Sequence, residues 1–180
     1  PPVDRRRRRH VRRPRSMASM PGPSRVDELA ARLRAADPGL ALRALAQEVV
    51  PGQTGPADRI VAVAWATRDL ERAMASVPLP FVRSARDRLL VGSSAAVHYG
   101  PVLLLLEQPH VPDEGPVAAY LSRYGEGVLA FHLERPRYLP PSHASGRPPR
   151  AVHTPFGRRG WLTPHEWPWG PFVIALEEER

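Results

Sequence analysis

Nine prolines fall within the 36 residues from Pro136 to Pro171, and this crowding constrains the fold more than any other feature of the chain. Proline fixes φ and brings no N–H to a helix or a sheet ladder, so long regular elements are excluded from that stretch. Regular structure must therefore come almost entirely from residues 24 to 134, with a short closing strand over Phe172 to Leu176.

Within that window, helical and strand-like patterns alternate. Ser24 caps a first helix to Ala36, with Val26, Leu29 and Leu33 at helical spacing, and Asp37, Pro38 and Gly39 stop it. A second short helix runs from Leu40 to about Val50, and the linker PGQTGPAD closes the pair at residue 58. Ile60 to Thr67 (IVAVAWAT) is an apolar run of strand length, and Asp69 caps a helix whose Leu70, Ala73, Met74 and Val77 share a face. Shorter strands are predicted around Arg88 to Val91 and Ala96 to Tyr99, followed by a strongly apolar strand over residues 101–107. Glu114 to Gly127 reads as a helix with Pro116 in its first turn and Gly125 at its end, and Val128 to Glu134 follows directly as a strand.

The 180 residues suit one domain at roughly 100 to 200 residues each. The chain has no cysteine, which removes disulfides, a cysteine nucleophile and thiolate-ligated metal centres. All 26 basic residues are arginine, lysine and asparagine are missing, and isoleucine occurs only at Ile60 and Ile174. That composition matches GC-rich coding sequence, so arginine abundance by itself is weak evidence of anion binding. The charge is concentrated at one end: residues 1–16 hold eight arginines and one acid, or +7 of the net +8. Such a run buries no apolar surface, and residues 1–16 are expected to be a disordered tail. The chain opens on Pro1, with Met17 and Met20 further in, so residues 1–16 are read as a fragment end or as untranslated upstream sequence. If the tail is native, it is the one part suited to nucleic acid. Neither the about 7 to 15 apolar residues of a signal peptide nor the ~18 of a membrane span occur, so no membrane partner is expected and a cytoplasmic location is the default expectation.

IVAVAWATRDLERAM at 60–74 resembles the opening strand and helix of the vicinal oxygen chelate, or glyoxalase-like, superfamily. LLLLEQPHVPDEGPVAAYLSRYGEGVLAFHLE at 103–134 is more specific and is similar to the methylmalonyl-CoA epimerase and 4-hydroxyphenylpyruvate dioxygenase branches, while GPFVIALEEE at 170–179 looks like the closing strand. The resemblance implies an α+β fold of paired β-α-β-β-β modules that form an open half-barrel. Here the second module would be degenerate and Pro-rich, and two short helices would precede the pair. The boundaries expected are a tail at 1–16, a helical extension and linker at 17–56, and the glyoxalase-like domain at 57–180. Whether the modules pair within one chain or across a homodimer is left open.

In the superfamily's enzymes, four strands each bring one His, Glu or Gln to a divalent metal, because such ions are held by imidazole nitrogen and carboxylate oxygen. Carried over one at a time, those positions fall at Ala62, Leu104, Ala130 and Ile174, none of which can donate an electron pair. The expectation is therefore no metal at that position, no other cofactor and no assigned catalytic residue. In that register Ala62, Ala64, Leu104, Leu106, Ala130, His132, Phe172 and Ile174 line the cavity, which would suit a small hydrophobic or aromatic ligand oriented by one imidazole. Two rival readings stand beside this. One is a metal-dependent epimerase, lyase or dioxygenase with relocated ligands, for instance His132 with His98, His153 or Glu107. The other is an interaction module whose helices at 24–50 dock a partner. His110, His143 and His165 lack mutual spacing. Trp161, Trp167, Trp169, Phe156 and Phe172 are expected to pack the Pro-rich region, and Arg158 and Arg159 to sit on a solvated turn.

Overall fold

The computed structural model describes residues 26–34, 37–135, 151–163 and 169–177. Expectations for the arginine tail, the Ser24 cap, His143, His165, Trp167 and the stretch from Pro136 to Pro149 lie outside those residues. Two helices come first, α1 (Val26–Leu33) and α2 (Pro38–Val49). The second begins two residues earlier than expected because the Asp37 side chain accepts from Leu40 N at 3.0 Å, which leaves Pro38 in the first turn, where its missing N–H costs nothing. The linker leads into β1 (Arg59–Ala66) and α3 (Leu70–Ser76), capped by Asp69 accepting from Arg72 N at 3.0 Å. Then come β2 (Val82–Arg83), β3 (Gly92–Tyr99), β4 (Val102–Pro109) and α4 (Gly115–Tyr124). The chain continues through β5 (Gly127–Glu134), β6 (Val152–His153), β7 (Arg159–Leu162) and β8 (Phe172–Leu176). The two short strands β6 and β7 fit between prolines of the crowded stretch, where a longer element would have met one.

The strand expected over Arg88 to Val91 is a turn instead. Asp87 and Gly92 bond to each other through both main-chain pairs, at 3.0 and 3.1 Å. The Asp87 carboxylate accepts from Leu89 N and Leu90 N at 2.7 and 2.9 Å, which offers the backbone a local alternative to a ladder. Val91 completes the reversal at φ 58°.

The eight strands of the described residues form one sheet, in the order β2-β3-β4-β1-β5-β8-β7-β6, curled into a half-barrel. Its two halves repeat one pattern. In the first, β1 pairs parallel with β4 and β4 antiparallel with β3; in the second, β5 pairs parallel with β8 and β8 antiparallel with β7. The halves join through the antiparallel pair β1–β5, so the modules meet within a single chain.

One face of the sheet carries α1, α2 and α3. Leu29, Leu42 and Leu45 of the helices share an apolar cluster with Val63, Phe131, Leu133 and Val173 of the strands. The helical pair is thus packed on the domain's own core. The other face is covered by α4, whose Val117, Tyr120 and Leu121 cluster with Ala62, Ala64, Leu105, Ala130 and Ile174. Among the described residues no helix is long and apolar enough to cross a membrane.

Packing between β7 and β8 leaves no room at Gly160, where a Cβ would lie 2.8 Å from the Ala175 carbonyl oxygen and 3.2 Å from the Ile174 and Leu176 side chains. Gly160→Ala is expected to cost about 1 to 3 kcal/mol by overpacking. Urea unfolding at matched conditions checks this, and an unchanged midpoint would rule out so close an approach of the two strands.

Candidate functional site

Cross-strand register places the expected cavity residues. Ala62 lies opposite His132 and Ala64 opposite Ala130 on β5, and Ala130 and His132 are in turn level with Phe172 and Ile174 on β8. Partners in a ladder point to the same side, so these six residues share the α4 face. Leu104 and Leu106 do not join them. Ala62 and Ala64 are level with Leu103 and Leu105 on β4, and Leu104 and Leu106 pack on the opposite face with α3. The β4 run is apolar on both faces and carries no period of two from which to read a register. The residue that could have decided it is Glu107, which turns inward.

Glu107 is fully buried on the α4 face, level with Ala66 on β1 and Ser94 on β3. Ser94 Oγ lies 2.7 Å from both of its carboxylate oxygens. Gly92 passes directly over it, so close that a Cβ there would collide with Oε2. Burial pushes the Glu107 carboxyl well above the usual carboxylate range, and neighbouring Asp87 adds to this while Ser94 opposes it. Asp87 is itself fully buried and raised by burial, against the bonds from Leu90 and Leu89. Its Oδ2 has no hydrogen-bond partner among the described residues. Above this pair sits the turn with Val91, a β-branched residue in the left-handed region, a conformation that costs of order 1 to 3 kcal/mol and persists only when its surroundings enforce it.

His132 stands near the middle of the sheet with zero exposure. Neither ring nitrogen finds a hydrogen-bond partner among the described residues, and Phe156 meets the ring edge-on at a centroid distance of 5.3 Å. Burial pushes its pKa down to about 3, the Ala62 main chain pulling the other way without reaching hydrogen-bond geometry. The imidazole is therefore neutral at pH 7, with one nitrogen able to donate and the other to accept.

The remaining candidates disperse. His98 is exposed, His110 Nδ1 lies 3.3 Å from Ser93 Oγ, and His153 Nδ1 lies 3.1 Å from the Gly157 carbonyl. Arg158 pairs with Glu134 and donates to the Glu177 carbonyl, and Arg159 meets Glu177 at 3.1 Å, so both are tied into the end of the sheet. Trp161 and Phe172 are buried, whereas Trp169 is partly exposed with the Arg123 guanidinium 4.8 Å from its ring centre. Sequence reasoning did not link Asp87 and Ser94 with Glu107. A lone acid in a turn-rich segment reads as solvated, and only the β3–β4 register shows what lies opposite it.

No family model and no curated relative matches the chain. Solved structures do. Methylmalonyl-CoA epimerase from Mycobacterium tuberculosis aligns with a TM-score of 0.52 at 12% identity, over 67% of this chain and 88% of that one. A hypothetical protein from Bacillus halodurans C-125 gives 0.52 at 13% identity, over 68% and 96%. The chain shares the fold of these two structures, the fold that its resemblance to the vicinal oxygen chelate superfamily implied. The divalent metal that this fold holds in its enzymes does not fit the residues present. Ala62, Ala130 and Ile174 offer hydrocarbon, and so do both Leu103 and Leu105, which take the α4 face of β4 in place of Leu104. Among the described residues no group of three His, Asp or Glu is placed to hold a metal ion. The one-residue shift on β4 therefore changes which side chain is presented but not its chemistry.

Proposed function

We propose that the vicinal oxygen chelate fold serves here as a metal-free binding module, which takes a small hydrophobic or aromatic molecule on the α4 face beside His132. The observation that carries this reading is the imidazole itself. A buried polar group without a partner is costly, and few persist in folded proteins without a role or a missing partner. His132 keeps two such atoms among Ala62, Ala130 and Ile174. A carbonyl, phenol or amide on an otherwise apolar ligand would satisfy one or both nitrogens, while its hydrocarbon would replace the Phe156 ring edge.

A thermal-shift screen of aromatic and aliphatic carbonyl compounds, with elemental analysis of the same preparation, tests the proposal. For any compound that binds, His132→Phe keeps an aromatic ring of only roughly similar volume and removes both polar functions. Affinity is expected to fall by about 1 to 3 kcal/mol as the ligand's polar group loses its buried partner. Equal affinity in the variant would reduce His132 to core packing. About one bound metal per chain would support instead an epimerase, lyase or dioxygenase with relocated ligands.

A further inference from the structure

The turn from Asp87 to Gly92 is clasped on every side. Its Leu90 carbonyl accepts from Val117 N of α4 at 3.4 Å, and its Val91 carbonyl accepts from His110 N beyond β4 at 3.1 Å. Val91 is wedged against Gly115, where a Cβ would come 2.8 Å from its own. Leu90 is driven into the α4-face cluster with zero exposure, beside Leu105 and Val117. Beneath lie the Asp87 and Glu107 carboxyls, and no basic side chain reaches either among the described residues. Among the described residues, the groups near Glu107 are Asp87 from the turn, the Ser94 hydroxyl from β3 and the apolar Val117 near Gly92, so of these Asp87 alone brings a charge. With no basic side chain to offset them, two ionised carboxylates are disfavoured in this buried space despite the bonds from Ser94, Leu89 and Leu90, and the arrangement is most stable while a proton neutralises one of them.

We propose that the Asp87–Gly92 turn is a plug latched by a proton on Glu107, which seats Leu90 in the α4 face while Glu107 is neutral and lifts away when Glu107 ionises. This does not depend on the ligand proposed for His132, since the latch acts with or without one. The sign follows from the raised carboxyl. A group that prefers its proton in the closed state stabilises closure fully at acid pH, and that stabilisation is lost as pH climbs from the ordinary carboxylate value through the raised one. The strained Val91 gives the turn a reason to leave once the proton is gone.

Amide hydrogen exchange on the full chain between pH 5 and pH 9, normalised to intrinsic rates, tests the latch. Protection of the Val117 and His110 amides is expected to fall about tenfold or more, while the β1 amides from Ala62 to Ala66 hold within about threefold, because local opening is distinct from global unfolding. Glu107→Gln, which needs no proton to stay neutral, should hold all of them level across the range. Should that variant fail to fold, Asp87→Asn removes the neighbouring charge, keeps the acceptor for Leu89 N and Leu90 N, and should shrink the pH-dependent loss. The proposal is overturned if wild-type protection at Val117 and His110 is flat, if β1 falls in step with them, or if either folded variant retains the full loss.

Discussion

A chain beginning at Ala57 is expected not to fold stably. Removing α1 and α2 strips Leu29, Leu42, Leu45 and Val50 from the cluster that covers Val63, Phe131, Leu133 and Val173. Four such side chains, each almost fully buried, represent about 1.5 to 3 kcal/mol apiece, or about 6 to 12 kcal/mol together. That is as large as the whole stability of an ordinary domain, about 5 to 15 kcal/mol. Circular dichroism and a urea transition on the shortened chain provide the measurement. A cooperative transition near the wild-type midpoint would mean that the helical pair is an appendage. It would also restore the reading of those helices as a docking segment.

The second large effect is acid instability from His132. Its folded pKa of about 3 lies below the 6.5 of an exposed imidazole, so the fold favours the neutral form. The stabilisation is fully present above pH 6.5 and is lost as pH falls toward 3, amounting over the whole window to about 5 kcal/mol at 1.36 kcal/mol per unit. His132→Phe carries no such proton. The difference in unfolding free energy between the two proteins is therefore expected to move by about 2 kcal/mol in the variant's favour between pH 6.5 and pH 4.5. Carboxylates that titrate in that range are common to both proteins and cancel in the difference. Parallel stability curves would mean that His132 is hydrated or hydrogen-bonded in solution.

Most of the fold was legible because its elements carry strong local signals. The run from Ile60 is apolar and bounded by turn residues, Asp69 stands where a helix must be capped, and Gly125 supplies the positive φ that ends α4. That Ala62, Ala130, His132 and Ile174 share one face of the sheet could be read as well, since each lies in a segment anchored by a motif at its end. What could not be read were the places where local pattern is silent. Leu103 to Leu106 has no polar residue to mark a face, and Glu107, the nearest one, is buried through a long-range contact with Ser94 rather than solvated. The turn at 88–91 has strand-like composition and is reversed by a carboxylate that also belongs to the buried pair.

The central antiparallel pair also governs the order in which the chain can assemble. β1 is flanked by β4, about forty residues on, and by β5, about seventy residues on, so its hydrogen-bonding edges are filled by late-arriving partners. During synthesis the first module reaches its full complement of four strands while one side of β1 still lacks its neighbour. That open edge is apolar and eight residues long, the kind of template to which a second nascent chain can bind. Emergence of β5 removes it. The two modules are therefore bound to each other kinetically as well as by packing, because the second half acts as the intramolecular cap that keeps the first from recruiting a stranger.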